Sequence, residues 1–231
     1  MRITLSDHFT YQKLLRFTMP SIVMMIVTSV YSIVDGFFVS NCVGKNAFAA
    51  LNLIFPVLMA LSAFGFMVGT GGSALVAKTM GEGDKHRANQ YFTMMIAVTL
   101  ICGVIISTVG VIYMEPISVF LGADEEMLAD CVLYCRIVLA FNTAFMLQNV
   151  FQSFLIAAEK PKLGLWITVA AGVTNMVLDA LFMAVFHWGV AGAAIATGIS
   201  QVVGGVLPLV YFLRPNSSLL RMTKTKLELR P

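Results

Sequence analysis

Apolar positions along the chain gather into six long blocks, about 15–39, 48–77, 91–114, 131–158, 164–186 and 190–213, separated by short polar stretches. A helix needs about 20 residues to cross the hydrocarbon core of a bilayer, and every block is that long. The predicted fold is therefore all-α and integral to the membrane, a bundle of six transmembrane helices filling 1–213 and followed by a basic tail over 214–231. Pro20 and Pro56 fall inside the first two blocks, where a membrane helix tolerates them in a first turn or as a kink. Gly65, Gly69, Gly71, Gly72 and Ser73 give the second block small residues for close helix approach. Between the blocks, 43–47 is a short connector with Lys45, 78–90 (KTMGEGDKHRANQ) a strongly polar loop, 115–130 an acidic connector, and 159–162 a tight turn with Pro161. The first 17 residues are mixed polar and basic and do not read as a signal peptide.

Composition removes the soluble alternatives. Hydrophobic residues make up 58% and charged residues 12%, with a mean hydropathy of +0.86, against about half and a quarter in an ordinary soluble domain. The distribution of Lys and Arg is more informative than the net charge of +3. With the N-terminus in the cytoplasm, Arg2, Lys13, Arg16, Lys78, Lys85, Arg87, Lys160, Lys162, Arg214, Arg221, Lys224, Lys226 and Arg230 all fall inside, 13 of the 15 basic residues. Lys45 and Arg136 fall outside. This asymmetry predicts a multi-pass protein of the cell (plasma) membrane with both termini cytoplasmic. It also accounts for the basic residues without a nucleic-acid partner. Cys42, Cys102, Cys131 and Cys135 read as small apolar side chains, and they combine with His8, His86 and His187 in no zinc-type spacing.

The chemistry lies in a few polar residues inside apolar blocks. Asp179 sits in the fifth, one turn after Asn175 and on the same helix face, and an Asp at such a position costs about 2.5–3.5 kcal/mol on insertion scales. Asp35 occupies the first block with Tyr31 one turn before it. At 1.5 Å per residue Asp179 lies about 10 Å in from the outer end of its span, Thr197 is about as deep in the sixth, and Asp35 is slightly shallower. One site made from three helices is thus geometrically consistent, and intramembrane carboxylates usually mark ion or proton pathways. The plainer alternative is a neutral Asp179 hydrogen-bonded to Asn175 for packing alone. The fourth block is unusually polar, with Tyr134, Arg136, Asn142, Gln148, Asn149 and Gln152.

The order of these features resembles the N-terminal lobe of a multidrug and toxic compound extrusion (MATE) transporter. The residues that carry the resemblance are Val34 to Val39 (VDGFFV) with Gly44 and Ala47 to Asn52, the GEGD loop Gly81 to Asp84, the polar fourth helix running into Glu159-Lys160-Pro161, and Asn175 with Asp179 and then Thr197. By that resemblance Asp35, Asn175, Asp179 and Thr197 form a cation-coupling site for H⁺ or Na⁺, with Na⁺ the metal ion concerned, and Tyr31, Tyr134 and Asn149 belong to the supporting hydrogen-bond network. The implied function is secondary antiport, exporting small organic compounds that are often cationic or amphipathic, with no cofactor beyond the coupling ion. Family members are about twice this long, with two six-helix lobes around a central cavity. The expected partners are therefore the lipid bilayer, the substrate and a second lobe, supplied by a missing C-terminal half or by a second copy of this chain.

Three rivals remain. A lipid-linked saccharide flippase of the same superfamily would need cationic cavity residues, and only Arg136 is available. A non-transporting membrane scaffold would leave the intramembrane polar residues dispensable. An intramembrane aspartyl protease is suggested by Gly81-Glu82-Gly83-Asp84, but such chemistry needs two carboxylates close together, and Asp84 belongs to a loop on the side opposite Asp35 and Asp179. The chain is read as no enzyme.

Overall fold

The structure, a computed structural model, describes residues 11–214 and 218–223, excluding the side chains of 12–14, 16, 17 and 126. Among these residues there is no strand, and six helices are long and apolar enough to cross a membrane. They are α1 (Tyr11–Phe38, continued by a π-helical segment Val39–Val43), α2 (Lys45–Gly81), α3 (Lys85–Phe120), α4 (Glu125–Ala157), α5 (Pro161–Asp179, continued by a π-helical segment Ala180–Val185) and α6 (Gly189–Leu213).

These helices overrun the apolar blocks. At 37 and 36 residues, α2 and α3 are each about 55 Å long, far more than the roughly 30 Å of hydrocarbon they must cross. Hydropathy marks where lipid begins; local hydrogen bonding decides where a helix stops. The polar loop 78–90 is consequently mostly helix. Its only break is Glu82–Asp84, where Gly83 turns the chain at φ +90° and Asp84 accepts the Arg87 backbone N–H at 3.0 Å as the N-cap of α3. The acidic connector shrinks in the same way to 121–124, because Pro116 stays inside α3 and Asp124 caps α4 by accepting from Met127 N–H at 2.8 Å. The first connector reduces to Gly44, whose φ of +130° a residue with a side chain would adopt only with strain. Pro161 opens α5 in its first turn, where its missing N–H costs nothing.

The central element is α4, which packs against α2, α3, α5 and α6, while α1 lies against α5. Close approach is set by glycines facing α4: a Cβ at Gly65 would stand 2.8 Å from Met146 Cα, and one at Gly205 would stand 2.7 Å from the Ala144 carbonyl oxygen. Two apolar layers result. One, toward the α1–α2 and α5–α6 turns, contains Ile54, Leu139 and Met183; the other, toward the opposite end, contains Phe92, Phe151, Phe154 and Phe212. Between them runs a polar layer: Ser62 donates to Asn142 Oδ1 at 2.7 Å, and Ser107 and Thr143 hydroxyls pair at 3.3 Å. Deeper along α4, Gln152 donates to Thr168 at 3.1 Å. The polarity of α4 is thus satisfied on several sides at once, as a helix shielded from lipid requires.

The segment after α6 docks rather than extending freely. Leu220 is fully buried with Phe92 and Phe212, Arg221 N–H donates to Asn89 Oδ1 at 2.7 Å, and Thr223 N–H donates to Thr93 Oγ1 at 3.1 Å. Residues 218–223 therefore strap the end of α6 to the start of α3. The rest of the basic tail predicted over 214–231, and the N-terminal charge Arg2, lie outside the described residues, as do the side chains of Lys13 and Arg16.

Candidate functional site

Asp35 lies near the end of α1 and Asp179 is the last residue of α5, and each is followed within a few residues by a π-helical segment. Such segments widen a helix locally and are frequent at functional sites. The packing of α1 on α5 brings the two carboxyl groups within hydrogen-bonding reach of each other. Neither offers a donor when ionised. No other donor reaches Asp179 Oδ1, Asp179 Oδ2 or Asp35 Oδ1, all buried, and Asn175 Oδ1 one turn away is likewise buried without a donor. Like charges facing each other away from water are costly unless something positive stands between them. A proton shared by the carboxyls or a bound cation meets that requirement; among the described residues no Lys or Arg lines either cavity at the cluster.

From the other helices, Tyr134 on α4 reaches into the cluster. Its hydroxyl comes within reach of the Thr197 side chain on α6 and lies near both carboxyls. Tyr31 stands close to Asp35, its ring filling the space that the missing side chain of Gly172 leaves on α5. Asn149 lines the deeper cavity with Asn175 and Thr197 but sits farther along α4. Phe141 packs on Gly198, so the level of Thr197 on α4 is near Phe141, and Asn149 lies about 12 Å farther along that helix. Its amide donates to its own helix at Phe145 O, 2.9 Å away.

Two cavities of about 600 Å³ each meet at this cluster. The first lies between the end of α1 and the start of α2 and includes Asn41, Phe48 and Asn52; the second runs deep between α1, α2 and α4 and includes Asn142, Asn149, Asn175 and Thr197. Asp35 and Tyr134 line both. Asp179 lines neither and is fully buried behind them. A residue that the sequence pattern passed over, Gln201, also lines the deeper cavity and carries a buried oxygen without a donor. Its signal was available: it follows Thr197 by one turn on the same face. Asp84 caps α3 beyond the far end of α2 and lines neither cavity, so the protease arrangement is not formed.

Comparison with known proteins gives a consistent result. The MatE family profile matches residues 20–181. The multidrug export protein MepA of Staphylococcus haemolyticus (strain JCSC1435) is 25% identical over 209 residues, which are 90% of this chain and 46% of that protein. Among solved structures, MATE in the bent conformation superposes with a TM-score of 0.84 at 28% identity over 92% of this chain and 47% of its own. The outward-facing conformation of a multidrug resistance MATE family transporter gives 0.87 at 26% identity, over 94% and 50%. The chain thus spans about half the length of the relatives it matches and has the fold of one of their lobes. Six apolar helices make it a multi-pass membrane protein, and the proteins it resembles are transporters rather than enzymes. With its helix order, its lobe fold and most of its length accounted for in this way, the chain belongs to the MatE family.

Proposed function

We propose that this chain is one lobe of a secondary antiporter that exports organic, often cationic or amphipathic compounds such as drugs in exchange for H⁺ or Na⁺. The observation that carries the reading is the meeting of Asp35 and Asp179 without another donor, with Asp35 at the junction of two cavities, an arrangement that a proton or a bound cation arriving through a cavity would neutralise. Asn175 Oδ1 and the Thr197 hydroxyl add the oxygen ligands that a hard cation prefers. Multidrug export by the Staphylococcus relative supports the substrate class. The lipid-flippase reading loses support because Arg136 pairs with Glu115 at 3.7 Å and lines neither cavity. The second lobe comes from a C-terminal half or, less economically, from a second copy of this chain.

The test is substrate efflux from proteoliposomes under an imposed H⁺ or Na⁺ gradient, for this lobe joined to a second six-helix lobe and for the 231-residue chain alone. Gradient-driven efflux is expected only from the two-lobed protein. Transport by a specifically crosslinked dimer of the single chain would overturn the need for a different second lobe, and efflux from neither would overturn the antiport reading.

The proposed orientation places both termini in the cytoplasm. In a background without the four native cysteines, a cysteine at Glu82 should resist an impermeant thiol reagent added outside, and one at Glu125 should react. The opposite pattern would reverse the topology.

A further inference from the structure

The helices α5 and α6 run antiparallel and pack directly on each other, with Trp188 in the turn between them. Asp179 and Thr197 lie equally far along the chain from Trp188, so they stand at one level, with Tyr134 near both. Asn175 and Gln201 are each one turn farther in, on the same faces, and both line the deeper cavity. The two side chains share a condition rare for buried amides. Asn175 is 2% and Gln201 9% exposed, and Asn175 Oδ1 and Gln201 Oε1 have no hydrogen-bond donor. A buried acceptor with no protein donor is costly unless something in the adjoining cavity meets it, and here two such oxygens stand at one level, on the cavity side of the carboxylate pair.

We propose that Asn175 and Gln201 form a second, inner tier of the coupling site that binds a partly dehydrated monovalent metal cation, Na⁺, as it passes between the deeper cavity and the carboxylates. This rests on the antiport reading above, which already places Asn175 in the coupling site, and adds Gln201 to it as a residue that tells Na⁺ from H⁺. An amide oxygen is a good ligand for a hard cation and is not protonated at physiological pH, so this tier would act on Na⁺ and leave a proton unaided. Two neutral oxygens bind weakly enough to release the ion onward, as multi-site conduction needs.

The test is equilibrium binding of radioactive Na⁺ to the purified full chain in detergent. Wild type is expected to bind Na⁺. Gln201→Leu should weaken binding about tenfold, in line with the loss of one hydrogen-bond-strength contact to a charged group, while Gln201→Asn, which keeps the amide, should recover part of the affinity. Gln201→Met, unbranched and close to Gln in volume, gives the same readout should the Leu variant fail to fold, with folding followed by monodispersity and melting. Wild-type affinity in a folded Leu or Met variant would remove Gln201 from the site. Absence of Na⁺ binding by wild type would overturn the inner tier while leaving a proton-coupled antiporter standing. The antiport reading fails separately, if gradient-driven export survives loss of the Asp179 carboxylate.

Discussion

Asp179→Asn is expected to reduce ion-driven export by the two-lobed protein to the background rate while leaving the amount of membrane-inserted protein unchanged. The substitution keeps the side-chain volume, and it puts an NH₂ donor where a second carboxylate oxygen faced Asp35. One carboxylate and one neutral amide would then remain, and the like-charge pair is gone. With one ionisable group instead of two the shared binding of a proton or cation is lost, which removes coupling, while the loss of like-charge repulsion keeps or raises stability. Asp35→Asn should behave alike, since the two groups face each other. Thr197→Ala removes one neutral oxygen within reach of Tyr134, worth about 0.5–1.5 kcal/mol, and should weaken coupling severalfold without ending it. Efflux under an imposed gradient, with inserted protein quantified in parallel, separates these cases. Wild-type rates in Asp179→Asn would leave the carboxylate with a packing role only.

The second large effect is on assembly. Gly205→Ala and Gly65→Ala are each expected to destabilise the bundle by about 1–3 kcal/mol, the range for overpacking a tight contact. The added methyl groups would meet backbone, the Ala144 carbonyl oxygen at 2.7 Å and Met146 Cα at 2.8 Å respectively. Backbone cannot rotate away as a side-chain tip can, so α2 or α6 must back off from α4. Gly71→Ala is the control: nothing lies within 4 Å of its Cβ position, and Ala is the better helix former by about 1 kcal/mol. Melting of the detergent-solubilised protein should fall for the first two and hold or rise for the third. Equal behaviour of all three would refute the close α4 contacts.

Much of this was legible in residue order. The membrane class, the six helices and the intramembrane pair Asn175 and Asp179 follow from hydropathy and from the cost of polar groups in hydrocarbon. Helix ends were not legible, because the segments 78–90 and 115–130 are polar yet almost entirely helical; one Asp cap and a short turn sufficed to break each. The expected place of Asn149 in the network around the carboxylates was a different matter. Polarity on α4 shows that the helix is shielded from lipid, but it does not say which neighbour receives each side chain. Packing sends Asn142 to Ser62, Thr143 to Ser107 and Gln152 to Thr168, and leaves Asn149 about 12 Å from the level of Thr197.

The sequence by itself determined that this chain crosses a membrane six times and that its carboxylates sit at comparable depth, since burial energy and helical rise are local properties. Only the tertiary structure decided that Asp35 and Asp179 face each other without a donor, that Asp35 and Tyr134 stand where two cavities meet, that Gln201 joins Asn175 one turn deeper, and that residues 218–223 fold back onto α3. The physical reason is that a helix fixes which residues share a face, whereas the neighbour that face meets is chosen by close approach at glycines such as Gly65 and Gly205 on helices far apart in the chain.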